Sequence, residues 1–216
     1  MNATEKTTVF AVRHGETEWN LAGKQQGHLD SPLTPLGVRQ ARAVAEALRN
    51  RGIEAIHASD LGRAVQTARI VGEVLTLEPI LDARLRERHL GIMQTLTMAE
   101  FRQRFPEEYE RFRSGDPDYV LPDGESSRQR DERTAACAAE IAARHRGRTV
   151  AVIAHGGTIQ SLFRHALGLP AGGPRRFSLY NGAVNRFGVR DGRWTLELWG
   201  DTGHLEKAGL ATLDDF

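Results

Sequence analysis

Two stretches of the chain end alike: a β-branched apolar run stops at a histidine followed by glycine, first in Thr7-Thr8-Val9-Phe10-Ala11-Val12-Arg13-His14-Gly15 and again in Thr149-Val150-Ala151-Val152-Ile153-Ala154-His155-Gly156-Gly157. Short apolar runs followed by helical patterns read as buried parallel strands, and ligands of such sheets sit just beyond the strands' carboxyl ends. Both histidines are therefore expected to face one site. Arg13 adds a fixed positive charge at that edge, so the site reads as built for an anion, phosphate first.

The periodicity between the two runs fits this frame. Thr34-Pro35 opens a helix whose apolar positions Leu36, Ala41, Val44, Ala45 and Leu48 recur at helical spacing, with Gly52 to end it. Ile53 to Ala58 reads as a second strand, and Ser59-Asp60 as the N-cap of a helix through about Leu77. Pro79 to Leu81 is a further short strand. Thr97 to Ser114 is helical and charged, the Arg102 to Arg113 face reading as solvated surface, and Asp116 to Gly124 is a loop. A long Ala-rich helix spans about Glu125 to His145, another Gly157 to Leu167. Arg176 to Tyr180, Ala183 to Val189 and Trp194 to Trp199 read as strands, the last two joined at Asp191-Gly192. The expected fold is a three-layer α/β/α sandwich: a mostly parallel central sheet, an antiparallel C-terminal edge, and one domain over 1–216 with a helical insertion at about 92–125 covering the site.

Chemistry concentrates at few positions. A guanidinium such as Arg13 can hold two phosphate oxygens at once. A neutral imidazole such as His14 can attack phosphorus and split one hard displacement into two, and Gly15 lets the backbone turn close against a ligand. Arg63 falls in the first turn of a helix at a strand's carboxyl end, which places it near His14. His155 adds another polar group, and the amides from Gly156 onward stand at a helix N-terminus, where anions are favoured. Glu87, ahead of the covering insertion, is the candidate proton source for the leaving oxygen, with a surface ion pair to Arg86 or Arg88 as the competing reading. Phosphate-monoester hydrolysis needs accelerations approaching ~10²¹. A general acid supplies only about 10²–10⁴ of that, so the balance falls to positioning and to charge facing the phosphoryl oxygens. His57 ends a strand without a following glycine and reads as structural or as supporting the site through another residue.

Taken together, Arg13-His14-Gly15-Glu16-Thr17 with Trp19-Asn20, Ser59-Asp60-Leu61 with Arg63-Ala64 and Gln66-Thr67-Ala68, Leu85-Arg86-Glu87, Gly124-Glu125-Ser126 and His155-Gly156-Gly157 resemble the histidine phosphatase superfamily, also called phosphoglycerate-mutase-like. Gln26-Gly27, Asp30 to Thr34 and the Gly200-Asp201 to His204-Leu205 tail are similar to its short bacterial members described as probable phosphoglycerate mutases or broad-specificity phosphatases. The resemblance implies that His14 is the phosphorylated nucleophile, that Arg13, Arg63 and His155 form the phosphate pocket, that Glu87 is the proton donor, and that Asn20, Gln26, Gly27 and Gly156 add contacts to the substrate. After Gly91, many relatives carry an aromatic-acid-glycine run where this chain has Ile92-Met93-Gln94-Thr95, so the wall beside the acid differs.

The expected activity is hydrolysis of small phosphate monoesters through a phosphohistidine, without a metal or cofactor. The alternatives are phosphoglycerate mutase-type transfer through the same intermediate and, behind it, a non-catalytic phospholigand-binding module. The span between Glu87 and His155 is short for the added cover a mutase needs, which favours hydrolysis. Two arginines repel a metal, and neither H-E-x-x-H, paired cysteines, a P-loop nor G-x-S-x-G occurs. With 29 basic against 28 acidic residues, no global field draws the chain to nucleic acid or membrane. Met1 to Lys6 lacks a signal-peptide layout, no apolar stretch approaches the roughly 18 residues of a membrane span, and Cys137 is the sole cysteine, so the expected setting is the cytoplasm. Self-association as a homodimer is left open.

Overall fold

The computed structural model describes residues 5–172 and 176–212. Residues 1–4 of the N-terminal reading and the two ends of the expected 1–216 domain lie outside them. In chain order the elements are β1 (Thr7–Arg13), α1 (Glu18–Leu21), α2 (Pro35–Leu48), β2 (Ile53–Ala58), α3 (Gly62–Leu75), β3 (Pro79–Leu81), α4 (Met98–Arg104), α5 (Pro106–Arg113), α6 (Ser127–Arg144), β4 (Thr149–Ala154), α7 (Gly156–Leu167), β5 (Val184–Arg190), β6 (Arg193–Asp201) and α8 (Gly203–Lys207). The strands form one sheet in the order β3-β2-β4-β1-β5-β6. The first four are parallel, and β5 and β6 run antiparallel at the edge.

Alternation along each central strand divides the core into two layers. Val9 and Ala11 of β1 and Val150 and Val152 of β4 face α6 and α7, where Cys137, Ala138, Ile141, Ile159 and Leu162 are buried. Phe10, Val12, Ala151 and Ile153 face the opposite way, onto Val44, Ala45 and Leu48 of α2 and Ala68 and Val71 of α3. A third cluster, Leu90, Met93, Leu96, Phe101, Tyr119 and Leu121, belongs to the segment of the expected insertion.

Three expectations differ from the structure. Arg176–Tyr180 is not a strand; Leu179 is buried in the α6–α7 layer and spends its carbonyl on the Arg13 side chain rather than on a ladder. The helix at 97–114 is two, because Pro106 starts α5 at its first turn and has no N–H to continue α4. Ser59-Asp60 does not cap α3. Leu61 holds the N-cap position without a side-chain bond, and the cap comes from across the chain: Asp30 Oδ2 accepts from Gly62 N at 2.7 Å and Oδ1 from Arg63 N at 3.3 Å. Ser59 instead meets His155, and Asp60 pairs with Arg86.

Candidate active site

Strand register delivers the two histidines to one place. β1 and β4 are adjacent and parallel with Arg13 opposite Ala154, so the next residue of each strand leaves the sheet side by side, and the rings of His14 and His155 lie 5.2 Å apart. The chain leaves β1 toward α2 on one face and β4 toward α7 on the other, which opens a crevice at this point of the sheet. The cavity there measures about 900 Å³, and Arg13, His14, Arg63, Glu87 and Gly156 line it. Asn20, Gln26 and Gly27 line it too. His155 stands behind His14, 1% exposed.

The contacts of His14 define its tautomer. Nδ1–H donates to the Gly15 carbonyl at 2.8 Å, a bond only a protonated Nδ1 can make. Nε2 therefore carries the lone pair, and Arg63 Nε–H donates to it at 3.3 Å. Burial, then the charges of Arg63 and Arg13, push the His14 pKa well below the ordinary histidine value, so the ring is neutral and nucleophilic. His155 is held neutral in the same way, by burial first and then by Arg63. Its Nε2 meets Ser59 Oγ at 2.8 Å, while Nδ1 is buried without a hydrogen-bond partner.

Arg63 is 2% exposed and fastened at nearly every donor. Nη2 donates to Gly27 O at 2.9 Å, and Nη1 to Leu29 O at 2.8 Å and Asp30 Oδ1 at 2.7 Å. Gly27 thus acts on the site through its carbonyl. Its φ of +55° and the 2.5 Å that would separate a Cβ from Gln94 Oε1 explain the glycine. Arg13 is anchored by a bond from Nη1 to the Leu179 carbonyl. Gly15 packs closely on α2: a Cβ there would stand 2.3 Å from Gly37 O.

Glu87 makes no side-chain pair with Arg86 or Arg88; Arg86 pairs with Asp60. One Glu87 carboxyl oxygen accepts from Arg88 N and the other from Gly157 N, each at 2.7 Å. The α7 amide expected to meet the anion is therefore spent on the acid, which it fixes beside the histidines. Asn20 and Gln26 are partly committed as well. Asn20 Oδ1 closes a capping box with Thr17 N and Oγ1, and Gln26 Nε2 donates to Thr17 Oγ1 at 2.8 Å while its Oε1 accepts from Ser31.

Several contributors went unread in the sequence. Arg133 donates to the carbonyls of Arg84, Arg86 and Glu87 and to the Glu125 carboxylate, which also accepts from His89 N, so Gly124-Glu125-Ser126 serves to hold the Glu87 segment. Arg88, Arg113, Arg130 and Arg164 line the cavity, Arg113 coming from the face read as solvated. Within the departing stretch, Gln94 Oε1 accepts from His28 N at 2.7 Å and Met93 lines the cavity. Among the described residues no group of three or more His, Cys, Asp or Glu is arranged to hold a metal, and no helix is long and apolar enough to cross a membrane.

A family model described as the histidine phosphatase superfamily (branch 1) matches residues 9–202, and the chain belongs to that superfamily of enzymes. It is 40% identical over 206 residues to phosphoglycerate mutase-like protein 4 of Arabidopsis thaliana, covering 94% of this chain and 88% of that one. It is 35% identical over 210 residues to a metal-independent phosphoserine phosphatase of the same plant, covering 96% and 87%. The solved structure of Bacillus stearothermophilus YhfR matches with a TM-score of 0.85 at 33% identity, covering 92% of this chain and 99% of that one.

Proposed function

We propose that the protein hydrolyses small phosphate monoesters, without a metal, through a phosphohistidine on Nε2 of His14. The observation that carries this reading is a neutral His14 whose Nδ1 is tied to a carbonyl and whose Nε2 lies against a guanidinium in the cavity. The phosphoryl oxygens take up Arg13 and Arg63, which frees the Nε2 lone pair. That pair forms the N–P bond as the ester P–O bond breaks, and the leaving oxygen takes a proton from Glu87. Water then gives its proton to the Glu87 carboxylate, its oxygen bonds to phosphorus, and the N–P bond breaks to release phosphate and neutral His14. His155 packs against His14, its ring 5.2 Å away, and Asn20, Gln26 and Gly156 border the transferring group.

Residues 92–125 supply a wall of the cavity, through Met93, Met98, Phe112 and Tyr119, and act as its cover. A cavity of about 900 Å³ leaves room for water beside a small ester, which favours hydrolysis over return of the phosphoryl group to a bound acceptor. A relative named as a metal-independent phosphoserine phosphatase supports the same choice. The buried, unpaired Cys137 suits a cytoplasmic setting.

The test is phosphate release from p-nitrophenyl phosphate with EDTA present, alongside conversion of 3-phosphoglycerate. Steady release undiminished by the chelator is expected. Interconversion of 2- and 3-phosphoglycerate without net phosphate would instead make the protein a mutase, and binding with neither reaction would leave a phospholigand module.

A further inference from the structure

We propose that His28 is a positioning residue for the proton donor: its ring fixes the backbone of Glu87, so that one loop sets both this acid and the Arg63 guanidinium around the transferring group. This rests on the phosphatase reading of the same cavity.

No regular element holds the Glu87 segment. Arg86 to Leu90 belong to neither helix nor strand, so the place of the Glu87 carboxyl depends on bonds from elsewhere in the chain. Two amides hold the carboxyl, and two side chains hold the carbonyl of the same residue: His28 Nε2 at 2.9 Å and Arg133 Nη2 at 2.7 Å. A carbonyl only accepts, so Nε2 of His28 carries the proton. Burial, opposed by that bond, lowers the His28 pKa, and the neutral ring is the Nε2–H tautomer. His28 is not among the residues that line the cavity, so it acts on the reaction through Glu87 and not on the substrate.

The loop that carries His28 works in two directions. The carbonyls on either side of it, Gly27 O and Leu29 O, accept from Nη2 and Nη1 of Arg63 at 2.9 and 2.8 Å, while the ring between them reaches Glu87. Gln94 pins the loop in turn. Its Oε1 accepts from His28 N at 2.7 Å and would lie 2.5 Å from a Cβ on Gly27. Gln94 belongs to Ile92-Met93-Gln94-Thr95, the stretch that departs from many superfamily members, so the departure supplies a fastening for the acid. Without the ring, Arg63 keeps Asp30 and both carbonyls, whereas Glu87 loses one of the two side chains on its carbonyl. Loss of the imidazole therefore loosens the acid and leaves the phosphate-binding cation in place. A misplacement of about 1 Å costs a reacting group up to ~10²-fold in rate.

The competing account makes His28 a brace for the fold alone. Two esters separate the accounts: isopropyl phosphate, whose alkoxide needs the Glu87 proton to leave, and p-nitrophenyl phosphate, whose leaving group does not. His28→Leu is expected to lower kcat/KM roughly 10- to 30-fold on the first and less than about 3-fold on the second. Competitive inhibition by inorganic phosphate, which reads the arginine pocket, should stay within about 2-fold of wild type. His28→Gln, whose amide N–H can stand where Nε2–H stood, should recover most of the ratio between the esters. Equal losses on both esters, or a weakening of phosphate inhibition that matches the loss on isopropyl phosphate, would overturn the positioning role while leaving the phosphatase reading intact. Wild-type protein that releases phosphate from neither ester would overturn that reading and the role with it. Imidazole ¹⁵N NMR of the wild type decides the matter even if the variants fail to fold: the Nε2–H tautomer of His28 is expected, and the Nδ1–H tautomer would overturn the proposal.

Discussion

In the proposed reaction, the nitrogen of His14 that attacks phosphorus is set by a carbonyl oxygen. Gly15 O takes the Nδ1 proton, the lone pair is left on Nε2, and burial between two guanidiniums keeps the ring from protonating. Glu87 is the complementary partner, and its role separates substrates by leaving group. Glu87→Gln should cut kcat/KM, which reports phosphohistidine formation, roughly 10²–10⁴-fold on alkyl phosphates but far less on p-nitrophenyl phosphate, because p-nitrophenolate departs without a proton. Equal losses in a steady-state comparison would remove Glu87 from the acid role. His14, Arg13 and Glu87 were legible because each ends or follows a strand beside a glycine or a charge. Arg130 and Arg133 were not, since an arginine in a long polar helix reads as surface until packing turns it inward.

The elements show how a loop can position a buried cation of the cavity. Helix α3 begins without a side-chain cap of its own, and Asp30 supplies one while gripping Arg63 Nη1. Asp30→Ala should therefore cost about 1–3 kcal/mol in unfolding free energy and lower kcat/KM roughly 10- to 100-fold. Asp30→Asn, which keeps an acceptor for the amide, should fall between. A denaturant titration and steady-state kinetics check both, and loss of stability without loss of activity would separate the cap from the site. The sheet's strands and their parallel order were readable from β-branched runs alternating with helical spacing. The cap was not, because residues adjacent in sequence looked sufficient and nothing local marks an acceptor 32 residues away. The Arg176–Tyr180 misreading has a similar cause: alternating apolar residues buried by the α6–α7 layer mimic a strand.

Across the molecule, a second histidine pair sits away from the cavity. His57 Nε2 lies 3.0 Å from His145 Nε2, joining β2 to the end of α6. Burial, then His145 and Arg144, lower the His57 pKa from 6.5 to about 4, with Asp82 opposing. The unfolded chain thus binds the proton more readily between those values, so the pair's contribution is complete above pH 6.5 and is lost as pH falls toward 4. Unfolding free energy should drop by about 1–2 kcal/mol between pH 7 and pH 5 from this group, and His57→Gln should flatten that slope. An unchanged slope in the variant would contradict the assignment. Burial and the two flanking guanidiniums hold the His14 pKa below the ordinary histidine value, so loss of activity through His14 protonation should begin at lower pH than for a free imidazole. The most direct test of the whole account is the phosphoprotein itself, trapped by denaturing quench during turnover and located by mass spectrometry and ³¹P NMR. An acid-labile, base-stable phosphoryl group on Nε2 of His14, absent from His14→Ala, is expected; phosphate on a Ser, on an Asp or on His155 would contradict it.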